Sequence, residues 1–255
     1  MNILVTGCAG FIGFHTCQKL IKKKYKVLGI DSLNNYYDTG LKKNRLKILK
    51  NNKSFVFFKN DLNLKFLNQK IKKFNVKIII HLAAQAGVRY SIKNPSTYFD
   101  NNILGFFNIL EASRTNKINH LIFASSSSVY GNNKNIKFKE NDYTDHPESF
   151  YAASKKSNEV MAYSYSKIYK IPVTGLRFFT VYGPYGRPDM FIHKFLNNQK
   201  NNKTISLFNN GLNFRDFTYV DDVVKILYLS YIKKITKKTI NICRSRPIKT
   251  IDLVL

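Results

Sequence analysis

The chain has no tryptophan, only three cysteines and six prolines in 255 residues, and 15 acidic side chains against 42 basic ones. Cys8, Cys17 and Cys243 are odd in number and scattered, which excludes a disulfide framework and any metal-ligand spacing. All three are expected to be reduced and partly buried, with no bound metal. No apolar run approaches the roughly 20 residues that a membrane helix needs. The opening MNILVTG enters a strand pattern at once, without a basic n-region or signal-type apolar core. These absences predict a cytoplasmic protein with no membrane partner. The shortage of acids leaves a net charge of +27, which invites a nucleic-acid reading. The lysines, however, run along the whole chain together with Asn and Ile, the residues of A/T-rich codons, and no nucleic-acid-binding module is recognisable. Compositional drift is the simpler reading, and no nucleic-acid partner is expected.

What is present is an alternation of short apolar strands and helices. Strands are predicted at 2–6, 26–30, 54–59, 77–82 and 119–125. Helices are predicted at 11–24 and around Ile103, Leu104, Phe107 and Leu110. Such alternation implies a parallel sheet covered on both faces, the doubly wound α/β class. After residue 172 the pattern is less regular, with candidate strands at 173–177, 204–208 and 239–243 and a helix after Tyr219. The organisation expected is a nucleotide-binding Rossmann domain over 1–172 and a smaller lobe over 173–255, interleaved with the sheet.

VTGCAGFIG places Gly7, Gly10 and Gly13 directly after the first strand, with Phe11 and Ile12 opening the first helix. Glycines there permit a tight turn, close approach to a pyrophosphate and tight helix–strand packing, and the helix N-terminus favours the negative charge. The spacing is G-x-x-G-x-x-G, and its position inside a βαβ pattern gives it weight. Asp31 ends the second strand, 18 residues past Gly13. A carboxylate there accepts from the ribose hydroxyls and repels a 2′-phosphate, which favours NAD over NADP. Asp61 and Leu62, after the third strand, are candidates to flank the adenine.

SSSSVYG (125–131) follows the fifth strand, where side chains face the ligand crevice. Tyr151 and Lys155 open a helix and lie one turn apart on a common face. A tyrosine, ordinarily with a pKa of about 10, becomes a usable base when a cation favours its phenolate. Tyr151 is then placed to take a proton from a substrate hydroxyl while hydride leaves the same carbon.

The combination resembles the extended short-chain dehydrogenase/reductases, and within them the NAD-dependent sugar-nucleotide epimerases. HLAAQAGVRYSIKNPSTYFDNNILGFFNILE (81–111), YAASKKSNEVMAYSYS (151–166), GLRFFTVYGPYGRPDM (175–190) and RDFTYVDDVV (215–224) are most similar to the UDP-glucuronate 4-epimerase subgroup. The resemblance implies Ser126 as catalytic hydroxyl, Tyr151 as base and Lys155 as its partner, with NAD taking hydride from C4 of the sugar and returning it to the other face. It implies that Thr180, Arg187, Ser127 and Ser128 meet the sugar carboxylate, that Arg215 grips the diphosphate, and that Arg89 lies near the site. A positive surface would attract such a doubly phosphorylated substrate.

The sugar 4,6-dehydratases carry an Asp-Glu pair where this chain has Ser127 and Ser128, which argues against dehydration. UDP-glucuronate decarboxylation and other UDP-sugar epimerisations stay open as alternatives. The family commonly dimerises through the helix carrying Tyr151, and Val160, Met161 and Tyr163 to Tyr165 would suit a homodimer or core packing equally. Family members usually continue past the segment resembling TIDLVL. The substrate lobe is therefore expected to be incomplete, and a non-catalytic NAD-binding scaffold is the alternative of another class.

Overall fold

The computed structural model describes residues 1–236 and 238–254. Its centre is a parallel sheet of seven strands: β1 (Asn2–Thr6), β2 (Lys26–Asp31), β3 (Phe55–Lys59), β4 (Val76–His81), β5 (His120–Ser126), β6 (Val173–Phe178) and the later β10 (Lys238–Ile242). The order across the sheet is β10-β6-β5-β4-β1-β2-β3. Sequence order reverses between β1 and β4, where Thr6 stands opposite His81. A doubly wound sheet opens its ligand crevice at such a switch point, beyond the C-terminal strand ends.

The strands are apolar along most of their length because helices cover both faces. On one face α1 (Phe11–Lys22), α2 (Thr39–Lys50) and α9 (Val220–Ile232) bury Phe14, Leu20, Leu46, Leu49, Val223 and Leu227 against Ile3, Val5 and Ile80. On the other, α3 (Leu64–Lys73), α6 (Gly105–Thr115) and α7 (Phe150–Tyr169) bury Leu67, Ile71, Phe106, Ile109 and Ala162 against Leu4, Ile79 and Leu121. Two short helices, α4 (Val88–Lys93) and α5 (Pro95–Tyr98), lead into a π-helical segment at Phe99–Leu104 ahead of α6. The cysteines are free, Cys8 and Cys17 buried and Cys243 half-buried.

Beyond β6 the chain builds β7 (Thr180–Tyr182), α8 (Phe191–Lys200), β8 (Phe214–Arg215), β9 (Phe217–Tyr219) and, after β10, β11 (Ile248–Lys249). β7 pairs with β9 in parallel, and β8 with β11 antiparallel. Residues 204–208, expected as a strand, do not form one: 204–207 is irregular, with two residues exposed and two partly buried, and among the described residues no strand pairs with it. The α6 stripe also differs from its sequence pattern. Leu110 is buried, but Leu104 and Phe107 are exposed, and the inward face is Phe106, Ile109 and Ala112. The π-helical turn before α6 rotates the register by one residue, which a strict 3.6-residue reading does not anticipate. On α7, Met161 and Tyr165 pack on the core while Val160 and Tyr163 face out. Among the described residues no helix is long and apolar enough to cross a membrane, and no cluster of three metal-ligating side chains forms.

Candidate active site

The candidate site residues singled out in the sequence all line one cleft of about 2120 Å³ over the C-terminal ends of the strands. That is larger than the roughly 300–1,000 Å³ of an ordinary small-molecule site, and suits two extended ligands side by side.

The glycine loop forms one end. Gly7 has φ +70, and a side chain there would meet the Ala83 backbone N at 2.7 Å. Gly13 lies so close to the strand end that a Cβ would stand 2.0 Å from the Gly7 carbonyl oxygen. No side chain caps α1 at Gly10, so the N–H groups at the start of the helix border the cleft without a competing acceptor. Asp31, 9% exposed, accepts from the Ala9 N–H at 3.0 Å and the Leu33 N–H at 2.8 Å. Its carboxylate is thereby fixed at the end of β2 beside the loop, where ribose hydroxyls would reach it. A loop that cannot hold a Cβ, an uncapped helix N-terminus and a fixed carboxylate together fit a dinucleotide. Asp61 and Leu62 border the same end, and the Leu62 carbonyl is tied by Asn108 Nδ2 at 2.8 Å. Substituting Gly13→Ala forces the loop apart because the new methyl would run into the Gly7 and Cys8 backbone, which is not the far end of a flexible side chain. NAD affinity measured by calorimetry is expected to fall about a hundredfold or more, with a lower melting temperature from overpacking worth roughly 1–3 kcal/mol. Unchanged NAD affinity would contradict this account of the cradle.

Ser126, Tyr151 and Lys155 line the same cleft. Ser126 ends β5, and its Oγ accepts from the Ser128 N–H at 3.1 Å, which turns Ser127 and Ser128 along the cleft wall. Tyr151 stands in the first turn of α7, whose N-cap Ser149 accepts from the Ala152 N–H at 3.1 Å. Burial pushes the Tyr151 phenol up from its usual value, while the hydrogen-bonded Ser126 hydroxyl and then the Arg187 guanidinium pull it down. Lys155 is 2% exposed and donates to the Ala124 carbonyl at 2.9 Å. Desolvation lowers it from the ordinary 10.5 to about 8. After Ser126, the Arg187 guanidinium from the turn beyond β7 is a further charge that draws the phenol down, while Lys155, one helical turn past Tyr151, is anchored to β5.

Lys155 therefore carries a stability cost with a definite sign. Its folded pKa lies below its unfolded one, so the penalty is fully present below about 8 and vanishes as pH rises toward 10.5. Lys155→Met in the NAD-free protein is expected to raise stability at pH 7 by roughly 2 kcal/mol, after discounting about 1 kcal/mol for the lost bond to Ala124. The gain should shrink as denaturant titrations are repeated toward pH 10. A destabilised Met variant at pH 7 would show that the buried ammonium is better compensated than described.

The third wall is the turn after β7. Thr180 and Arg187 border the cleft, and Arg187 is held by Asp189 through Nε–H to Oδ1 at 3.0 Å and Nη2–H to Oδ2 at 2.5 Å. Tyr36 donates to the same carboxylate at 3.2 Å, and the guanidinium carbon stands 5.9 Å from the Tyr36 ring centre. Arg187 holds the Asp189 carboxyl below its usual range despite burial. Arg215 and Arg89 lie at exposed stretches of the cleft rim.

A family model described as NAD dependent epimerase/dehydratase matches residues 3–243. The chain belongs to the NAD-dependent epimerase/dehydratase family. Within it, the chain is 54% identical over 228 residues to protein CapI of Staphylococcus aureus, covering 89% of this chain and 68% of that protein. It is 46% identical over 234 residues to a probable UDP-glucuronate 4-epimerase of Rhizobium meliloti, covering 91% and 69%. Among solved structures it resembles UDP-glucuronic acid 4-epimerase from Bacillus cereus in complex with UDP-glucuronic acid and NAD, with a TM-score of 0.93, 36% identity and coverage of 100% of this chain and 81% of that one.

The structure also supplies parts of this epimerase/dehydratase site that were not read from the sequence. Asn102, buried in the π-helical turn, donates to the Gln85 carbonyl at 3.0 Å and the Ser154 Oγ at 3.0 Å, tying the loop after β4 to α7. Tyr98 donates to the Ala86 and Gly87 carbonyls at 2.9 and 2.5 Å and sets its ring edge-on to Tyr151, centres 6.1 Å apart. Behind Ser126, Glu159 accepts from the Ser125 hydroxyl at 2.5 Å and forms a buried ion pair with Arg177 at 2.8 Å. Glu159 lies one turn past Lys155 on α7, a periodicity that the sequence carries. Tyr36, Tyr98 and Asp189 have no such local mark.

Proposed function

We propose that the protein interconverts UDP-glucuronate and UDP-galacturonate by NAD-dependent epimerisation at C4. The reading is carried by one observation: a guanidinium fixed by Asp189 shares a cleft with Tyr151, Ser126 and the dinucleotide cradle. A carboxylate-bearing sugar is the ligand such an arginine recognises best, and a Bacillus cereus relative of the same fold is described with UDP-glucuronic acid and NAD.

When bound, NAD supplies a hydride acceptor and donor for the sugar C4. Gly7, Gly10 and Gly13 with the first turn of α1 would hold its pyrophosphate, Asp31 its ribose, and Asp61 and Leu62 its adenine end. Tyr151 Oη takes the proton from the C4 hydroxyl and returns it after the ring has turned. Ser126 Oγ holds that oxygen, and its bond to Tyr151 stabilises the phenolate. Lys155, anchored to Ala124, adds positive charge beneath the site. Arg187, Thr180, Ser127 and Ser128 orient the carboxylate, and Arg215 meets the diphosphate. The sugar 4,6-dehydratases carry an Asp-Glu pair where this chain has Ser127 and Ser128, which supports epimerisation over elimination.

Reaction with UDP-glucuronate in heavy water separates the possibilities. A product of unchanged mass with no carbon-bound deuterium, inseparable from UDP-galacturonate on chromatography, supports the proposal. Loss of carbon dioxide makes the protein a decarboxylase. Deuterium on carbon reveals proton abstraction next to the ketone and rules out simple hydride return.

A further inference from the structure

We propose that Arg45 is a positioning residue that couples occupancy of the dinucleotide cradle to the placement of the loop carrying Arg187. Only eight of the 42 basic residues are arginine, and Arg45 is the one with no exposure at all. Its guanidinium joins two loops far apart in sequence. Nη1 donates to the Ala9 carbonyl, inside the glycine loop, at 2.8 Å and to the Tyr37 phenol at 2.8 Å. Nη2 donates to the carbonyls of Tyr185 at 2.5 Å and Gly186 at 3.4 Å. Gly186 directly precedes Arg187. The planar fork suits this task, because its donors point two ways from one rigid centre, which an ammonium cannot reproduce.

The clamped segment has no preference of its own for this shape. Tyr185 holds φ +56, the left-handed region that a residue with a side chain avoids. His15 on α1 hydrogen-bonds the Pro184 carbonyl at 2.9 Å, and Phe14 stacks edge-on with Tyr185 at 5.1 Å. Every one of these holdfasts belongs to the cofactor half of the molecule.

Charge supplies the coupling. None of the ion pairs among the described residues includes Arg45, and its Nε is buried without a hydrogen-bond partner. A buried cation whose acceptors are all neutral is poorly compensated. A pyrophosphate held by Gly7, Gly10 and Gly13 would bring negative charge to the loop whose Ala9 carbonyl Arg45 binds. NAD then stabilises the clamped arrangement, and the clamped loop in return favours NAD. The assignment of the loop to carboxylate recognition rests on the proposed uronate substrate; the coupling itself does not.

The test is amide hydrogen exchange on the full chain, with and without NAD. In the wild-type chain NAD should slow exchange across 183–190 by about tenfold, within the usual range of coupling between sites, while α3 (64–73), remote from Arg45, should change little. In Arg45→Lys, at saturating NAD, the protection of 183–190 should fall below about twofold. An absence of NAD-dependent protection in the wild-type chain overturns the proposal, whatever the substrate and whether or not any variant folds. Full protection in Arg45→Lys or in Arg45→Gln overturns it as well. With UDP-glucuronate, Arg45→Lys should raise KM and lower kcat by about tenfold each while inhibition by UDP stays within about twofold, because UDP does not use the loop. Equal losses for UDP and UDP-glucuronate would mark Arg45 as a mere structural strut. Wild-type protein inert toward UDP-glucuronate but showing the NAD-dependent protection would sink the substrate reading and leave the coupling intact.

Discussion

Tyr151→Phe is expected to lower kcat about a thousandfold or more while NAD and UDP affinities stay within about twofold, since a positioned acid–base group is worth up to roughly 10⁴ in rate. The change removes one oxygen and little else. The Phe ring keeps its edge-on contact with Tyr98, and the start of α7 keeps its Ser149 cap. The proton of the sugar hydroxyl loses its destination, and Ser126 loses the phenol it helps to ionise. Rapid-quench rates combined with calorimetry on the same preparation check both halves. A variant within tenfold of wild type would remove Tyr151 from the chemistry.

The second large effect belongs to Arg187. Arg187→Gln should raise KM for UDP-glucuronate about a hundredfold, the size expected when one partner of a charge-assisted contact is truncated and the other is stranded. It should leave UDP inhibition nearly unchanged. Two further consequences follow from its surroundings. Arg187 also draws the Tyr151 phenol down, so the rising limb of kcat/KM against pH should move to higher pH in the variant. Asp189, held low by the guanidinium, is left without its partner, and Arg187→Gln combined with Asp189→Asn should recover part of the lost stability without recovering the low KM. Arg187 and Asp189 are each partly exposed, so solvent screening keeps that stability effect near 1 kcal/mol. A KM unchanged in Arg187→Gln would contradict its role toward the carboxylate.

The parts of this site that were legible in the sequence are those whose chemistry is local. Gly7, Gly10 and Gly13 answer to a turn and a helix start only a few residues long. Tyr151 and Lys155 answer to one helical turn, and the strands that place them are short apolar runs bounded by loops. Residues 204–208 show the limit of that reasoning. The run has a strand-like composition, but a strand exists only where another edge accepts its hydrogen bonds, and among the described residues none pairs with it. The same limit hid the groups that hold the site in register. Arg45 lies 140 residues before the Tyr185 carbonyl it binds, and Tyr36 lies 153 before Asp189. In α2, Arg45 follows two lysines and an asparagine and looks like one more solvated charge. Only its burial between the glycine loop, Tyr37 and the turn after β7 gives it four oxygens and no exposure. Helix periodicity places Lys155 on the Tyr151 face of α7, yet says nothing of the Arg187 guanidinium that arrives from a loop 36 residues later and also draws the phenol down.

The central claim is reversible hydride transfer at C4 of a carboxylate-bearing UDP-sugar. It is tested most directly by giving the NAD-loaded protein UDP-glucuronate labelled with deuterium at C4 and following the label by mass spectrometry and proton NMR. The expected result is UDP-galacturonate of unchanged mass with the deuterium still on C4. A product that has lost the label to solvent, a product lighter by carbon dioxide, or unreacted substrate with NAD bound would each contradict it.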